Sequence, residues 1–147
     1  MKIRTATKND LNTIVSFNLA LAQESEGLTL NSRLVQRGVE AVFADPTKGF
    51  YLLATENEEI VGQLLITKEW SDWRNGYYWW IQSVYVKPEY RQRGVYRFLH
   101  QYVRKLAKEE GNVCGIRLYV EQENQAAQNV YKKVGMKPSR YRIFEEE

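Results

Sequence analysis

A chain of 147 residues has the length of one domain, expected over residues 1–147, and can bury an apolar core without disulfides or metals. With 44% hydrophobic and 27% charged residues it is neither disordered nor fibrous; no apolar run approaches the ~18 residues of a membrane span, and one cysteine excludes a disulfide framework. The net charge of +3 is too small to argue for nucleic acid, and MKIRTATKND lacks the apolar run of a secretory signal, so a cytoplasmic location is expected.

The elements follow in chain order. KIRTA, from Lys2, alternates like a short strand, and Asn9 or Asp10 can then cap a helix with Leu11, Ile14, Val15 and Ala22 on one side. A second helix fits NSRLVQRGVEAVFADP: Asn31 or Ser32 opens it, Leu34, Val35, Val39, Val42 and Phe43 form its apolar face, and Asp45-Pro46 stops it. GFYLLAT and EIVGQLLITKEW, joined by the polar turn ENEE, read as an antiparallel hairpin. Asn75-Gly76 then turns the chain into YYWWIQSVYV, which runs up to Pro88.

After Gly94, the positions Val95, Phe98, Leu99, Tyr102, Val103 and Leu106 have the spacing of a helix packed on a sheet. GIRLYVEQ reads as a strand, NQAAQNVYKKVG as a short helix closed by Gly135, and SRYRIFEE as a final strand.

The stretch PEYRQRGVYRFLH sets Arg91, Arg93 and Arg97 around Gly94 just where the third helix begins. A glycine at a strand-to-helix junction lets backbone approach a ligand, and the first N–H groups of the helix, here Arg93 to Tyr96, then point at it. The helix dipole and the arginines add attraction for phosphate; solvated arginines beside a helix start are the plainer alternative. Neither G-x-x-x-x-G-K-[ST] nor a G-x-G-x-x-G after the first strand is present.

RQRGVY resembles the coenzyme A pyrophosphate loop, [QR]-x-x-G-x-[GA], of the GNAT superfamily of acyl-CoA-dependent N-acetyltransferases, with Arg91 and Gly94 in place and Tyr96 where that family has Gly or Ala. NQAAQNVYKKVGM is similar to its N-x-x-A-x-x-x-Y-x-x-x-G-F through Asn124, Ala127, Tyr131 and Gly135, with Met136 replacing Phe. IRTATKNDL and SVYVKPEYR are similar to the family's first strand and helix start and to the strand before its loop. The resemblance implies an α+β, three-layer fold: a mixed, mostly antiparallel sheet flanked by about four helices. It implies acetyl-CoA as donor, no metal, and a loop of Arg91, Gln92, Arg93, Gly94, Val95, Tyr96 and Arg97 that holds it together with Asn124. The backbone around Val84, Tyr85 and Val86 would pair with the pantetheine arm and stabilise the oxyanion.

Acetyl transfer needs an amine with a free lone pair, a stabilised oxyanion and a protonated leaving thiolate. An alkylamine of pKa about 10.4 is mostly protonated at pH 7, and delivering it neutral costs ~4–5 kcal/mol. Tyr131 matches the family tyrosine that protonates or hydrogen-bonds the coenzyme A sulfur; its spacing with Ala127, Val130 and Val134 also fits plain packing. For the base, Glu69 ranks ahead of Asp72, Glu24 and Glu26, because it falls near the end of its strand beside tryptophans that would desolvate it. An exposed carboxylate paired with Arg74, or a water chain ending at Gln82 or Ser83, is the alternative.

The cluster Trp70, Trp73, Tyr77, Tyr78, Trp79 and Trp80 can cage a cationic acceptor, with Trp70 and Trp73 flanking carboxylates, or serve as core or homodimer contact. His100, next to Gln101 and near Arg104, reads as solvated, Cys114 as a packing residue, and one histidine with one cysteine supplies no zinc-type ligand set. The reading is acetyl transfer to a primary amine of a small molecule by direct attack. Its rivals are an acyl-CoA-binding regulator that turns nothing over and a nucleic-acid-binding module, which is not favoured.

Overall fold

The computed structural model describes residues 1–147. Five strands and four α-helices alternate in the order β1 (Lys2–Thr5), α1 (Leu11–Glu26), α2 (Ser32–Ala44), β2 (Phe50–Glu56), β3 (Glu59–Ser71), β4 (Gly76–Val86), α3 (Val95–Glu110), β5 (Val113–Arg117) and α4 (Gln125–Lys133). The strands lie in one sheet in chain order; every neighbouring pair is antiparallel except β4 and β5, which are parallel because α3 crosses between them.

Local chemistry sets the boundaries. Asp10 takes both guanidinium nitrogens of Arg4 at 2.8 Å and the Thr7 N–H at 2.8 Å, fixing the turn that enters α1 to the first strand. Gly27 ends α1 at a φ of 64°, a conformation glycine adopts without steric cost. Asn31 caps α2 by accepting the Leu34 N–H at 3.0 Å. Asn57 and Glu58, with φ of 50° and 68°, make a two-residue β2–β3 turn whose twist suits the strands.

Strand alternation divides the interior. Leu52, Ala54, Leu64, Ile66, Trp79 and Ile81 face α3, where Val95, Tyr96, Leu99, Val103 and Ala107 complete the larger core. Tyr51 and Leu53 face α1 and α2, joined by Ile14 and Val39. Gly62 permits the close approach of α3, since a Cβ there would lie 2.9 Å from Val95.

Several expectations need correction. Leu34 is 70% exposed, so α2 packs through Val35, Val39, Val42 and Phe43 alone. The buried face of α3 is rotated: Phe98 is 42% exposed, while Tyr96 and His100 point inward. His100 is therefore not solvated; it is 1% exposed, and what allows the burial is the hydrogen bond between its Nδ1 and the Tyr96 hydroxyl at 2.9 Å. SRYRIFEE forms no strand, because β5 pairs only with β4 and the alternating segment finds no ladder partner. GIRLYVEQ contributes strand only to Arg117, where the chain leaves β4.

Candidate active site

The register of β4 breaks where the resemblance places chemistry. Gln63 of β3 pairs with Tyr85 and Leu65 with Gln82, so Ser83 and Val84 bulge opposite one residue. Ser83 has a φ of 52°, an uncommon conformation for a residue with a side chain. Gln63 holds it there: fully buried in the sheet, its Nε2 donates to the Ser83 carbonyl at 3.0 Å and to Asn18 Oδ1 at 2.8 Å. Its Oε1 is buried without a partner.

On the other side, β5 pairs with β4 only from Tyr77 to Trp80. From Ile81 to Val86 the outer edge of β4 has no strand beside it, because β5 ends at Arg117. The chain then turns through Arg91–Gly94 into α3, with Gln92 and Gly94 at φ of 63° and 79°. Alternating conformations of this kind turn successive N–H groups toward one point, at the positive end of the helix dipole. A Cβ on Gly94 would meet only the Arg97 guanidinium, at 3.6 Å, so the cradle is shaped by φ and Arg97 rather than by close packing.

The three arginines differ. Arg91 is committed: its Nε donates to the Val86 carbonyl at 2.9 Å, its Nη2 to Glu24 Oε1 at 3.0 Å, and the guanidinium lies 5.5 Å from the Tyr85 ring centroid. Arg93 lies over Tyr90 at 5.2 Å and Arg97 near Phe98 at 5.8 Å. Glu24 accepts the Tyr85 hydroxyl at 2.8 Å, and that bond, followed by Arg91, holds its carboxyl below the usual carboxylate range. The Tyr85 phenol is pushed up, by burial first and by Glu24 second.

Tyr131 is half-buried on α4, its ring edge-on to Tyr96 at 5.3 Å and 71°. Burial alone acts on its phenol and raises the pKa, so the hydroxyl stays protonated at pH 7. Asn124 accepts the Ala127 N–H at 3.1 Å and so caps α4.

Glu69 lies on the sheet face that carries Trp80, Thr67, Gln82 and Tyr85, the face covered elsewhere by α1 and α2. It is exposed; Trp80 Nε1 donates to its Oε1 at 2.7 Å and Arg117 stands 3.8 Å from the same oxygen. Its partners are thus Trp80 and Arg117 rather than Arg74. Trp70 packs edge-on to Tyr77 at 5.0 Å, while Asp72 and the 90%-exposed Trp73 sit at the hairpin tip, the far end of β4 from Ser83.

The structure thus brings Glu24, Tyr85, Val86 and Arg91 into contact where β4 leads into the loop, sets Tyr131 against Tyr96, and leaves Asp72 and Trp73 apart at the hairpin tip. Sequence reasoning missed Gln63, whose signal was a lone amide inside the apolar run VGQLLI, and Arg117, whose guanidinium lies 3.5 Å from the Tyr78 ring centroid.

A sequence model of the GNAT acetyltransferase family matches residues 14–136. The chain belongs to that family. A possible acetyltransferase from Clostridium difficile 630 is 42% identical, with 99% of this chain and 96% of that one covered and a TM-score of 0.93. A predicted acetyltransferase from Clostridium acetobutylicum, solved with acetyl-CoA, shares the fold at 20% identity (99% and 95% covered, TM-score 0.80). AAC(6')-Iy, solved with a bisubstrate analog of coenzyme A and acetylneamine, does so at 17% identity (99% and 97% covered, TM-score 0.78). No curated protein matches the chain.

Proposed function

We propose that the protein transfers an acetyl group from acetyl-CoA to a primary amine of a small molecule by direct attack in a ternary complex. The observation that carries this is the succession of the Ser83 bulge, the open β4 edge and the Gly94 cradle along β4 and into α3. The edge offers main-chain hydrogen bonds to an amide-bearing arm, and the cradle offers N–H groups to a pyrophosphate. The Clostridium acetobutylicum neighbour, solved with acetyl-CoA, supports the donor; the bisubstrate analog on AAC(6')-Iy supports an amine acceptor on this fold.

Acetyl-CoA supplies the activated acyl carbon when bound. The backbone N–H groups around Val84, Tyr85 and Val86 stabilise the oxyanion; Arg93, Val95, Tyr96 and Arg97 surround the phosphates with Gly94, while Arg91 and Gln92 shape the loop, and Asn124 orders the helix that carries Tyr131. As the amine nitrogen bonds to the carbonyl carbon and the C–S bond breaks, Tyr131 gives its proton to the sulfur. Glu69 takes the amine proton through Oε2, since Oε1 is the oxygen bonded to Trp80. Glu24 belongs to the acceptor side in this reading, whereas the expected cation cage is not assembled there: Trp70 packs on Tyr77 on the opposite sheet face from Glu69, and Asp72 and Trp73 lie at the hairpin tip.

Calorimetric titration of acetyl-CoA into the protein and into Gly94→Glu tests it. Saturable binding at micromolar concentration, lost in the variant where a carboxylate and a strained φ occupy the cradle, is the expected result. Binding retained by Gly94→Glu would remove the loop assignment, and no binding by either would remove the enzyme. For the base, Glu69→Gln lowers the rate at pH 7 and recovers part of it at high pH, where the amine deprotonates unaided. A deficit unchanged across pH takes that role from Glu69.

A further inference from the structure

α4 carries the proposed proton donor on slender support. It spans nine residues and buries none of them fully. An acid must be held within a fraction of an ångström and a few degrees of its target, so the position of Tyr131 has to be set from outside its own helix. The structure supplies a rail on α3. Tyr96, His100 and Arg104 stand four residues apart along one side of that helix, and each is tied either to its neighbour on the rail or to α4.

Tyr96 is 6% exposed and lies edge-on to Tyr131, with ring centroids 5.3 Å apart. Its hydroxyl is 2.9 Å from Nδ1 of His100, which is 1% exposed and packs against the Tyr96 ring at 5.5 Å and 50°. A buried imidazole is costly where an aliphatic side chain would pack freely, so the bond to Tyr96 is what the residue type adds here. The bond removes the torsional freedom of the Tyr96 ring. Farther along, the Arg104 guanidinium donates to the Val134 carbonyl, and a Cβ on Gly135 would come within 3.3 Å of it. α4 is therefore held at Tyr131 and again at its last turn.

Resting on the reading of Tyr131 as proton donor, we propose that Tyr96 and His100 are positioning residues that fix the Tyr131 ring and so the place of its hydroxyl. Neither touches the reacting atoms through its side chain. Burial, with Arg104 adding in the same direction, keeps His100 near a pKa of about 4, so the imidazole is neutral at pH 7 and its bond to Tyr96 is intact in the working enzyme.

The test uses the full chain with acetyl-CoA and hydroxylamine, whose product is acetohydroxamate, and the ring-carbon NMR resonance of Tyr131 in 13C-tyrosine-labelled protein, assigned by its loss in Tyr131→Phe. Tyr96→Phe and His100→Leu are each expected to lower kcat about 10-fold, with the KM for acetyl-CoA within about twofold of wild type, and to shift or broaden the Tyr131 resonance. His100→Asn, which keeps a polar atom near the place of Nδ1, is expected to restore most of kcat. Folded variants with wild-type kcat and an unmoved resonance, beside a slow Tyr131→Phe, overturn the inference. A Tyr131→Phe as fast as wild type instead overturns the proton-donor reading, and the resonance alone then decides whether Tyr96 and His100 hold the ring. Should His100→Leu fail to fold, Tyr96→Phe keeps the ring volume and carries both readouts.

Discussion

His100 makes the stability of this protein sensitive to acid. Unfolded, its imidazole titrates near 6.5; folded, burial first and Arg104 second hold it to about 4. Between those values the unfolded chain binds the extra proton, so acid pulls toward unfolding. The full stability is present above about pH 6.5 and declines as pH falls toward 4, by up to roughly 3 kcal/mol if this group acted alone. Urea unfolding of wild type and His100→Asn across that window is expected to give a steeper decline for wild type; parallel curves would mean that the buried ring titrates as it does in the unfolded chain. The sequence hid this because a histidine beside Gln101 and Arg104 is scored with the polar face. The Tyr96 hydroxyl four residues earlier was the signal that it could be buried.

Among the elements, β4 carries the most information. Ser83 at a φ of 52° is held by the Gln63 amide, which also bonds Asn18 of α1. Gln63→Leu leaves the Ser83 carbonyl and the Asn18 amide oxygen without that donor, and a loss of about 1–3 kcal/mol is expected from thermal unfolding. With the bulge released, weaker acetyl-CoA binding should accompany the loss; full stability and full binding together would show that the bulge holds itself. The first four strands of the sheet and the four α-helices were legible from periodicity and punctuation, because alternation, caps and Asn-Gly are local signals, while β5 was read too late, over GIRLYVEQ instead of Val113–Arg117. The final strand was not, since alternation names a strand without naming its partner. The rotated face of α3 was also hidden, for Phe98 outweighs Tyr96 in any count of apolar spacing, although Tyr96 and His100 satisfy each other inside. Most distant of all was the Glu24–Tyr85–Arg91 contact, which depends on where α1 ends over the sheet.

For the whole molecule, the proposed site lies where β4 and β5 cease to pair, with α1 and α2 on one sheet face and α3 on the other. A ligand bound there would touch β4, the loop after it and the start of α3, and so would couple both cores. Acetyl-CoA at 100 times its Kd is expected to add about 2.7 kcal/mol to the unfolding free energy, seen as a rise in Tm that Gly94→Glu lacks. No rise with either protein would leave the Gly94 cradle without its proposed ligand. No helix is long and apolar enough to cross a membrane.

The parting of β4 from β5 after Trp80 has a consequence for how such a protein can diversify. An edge recognised through peptide groups is indifferent to the side chains it bears, so replacements at Val84 or Val86 that keep the strand extended leave that recognition standing. The face holding Thr67, Glu69, Trp80, Gln82 and Arg117, with Glu24 of α1 above it, would in the proposed reaction meet the amine through side chains alone. Under the proposed acetyl transfer the donor half of the site would thereby be buffered against mutation while the acceptor half stays free to be rewritten, so that a change of amine need not disturb the donor.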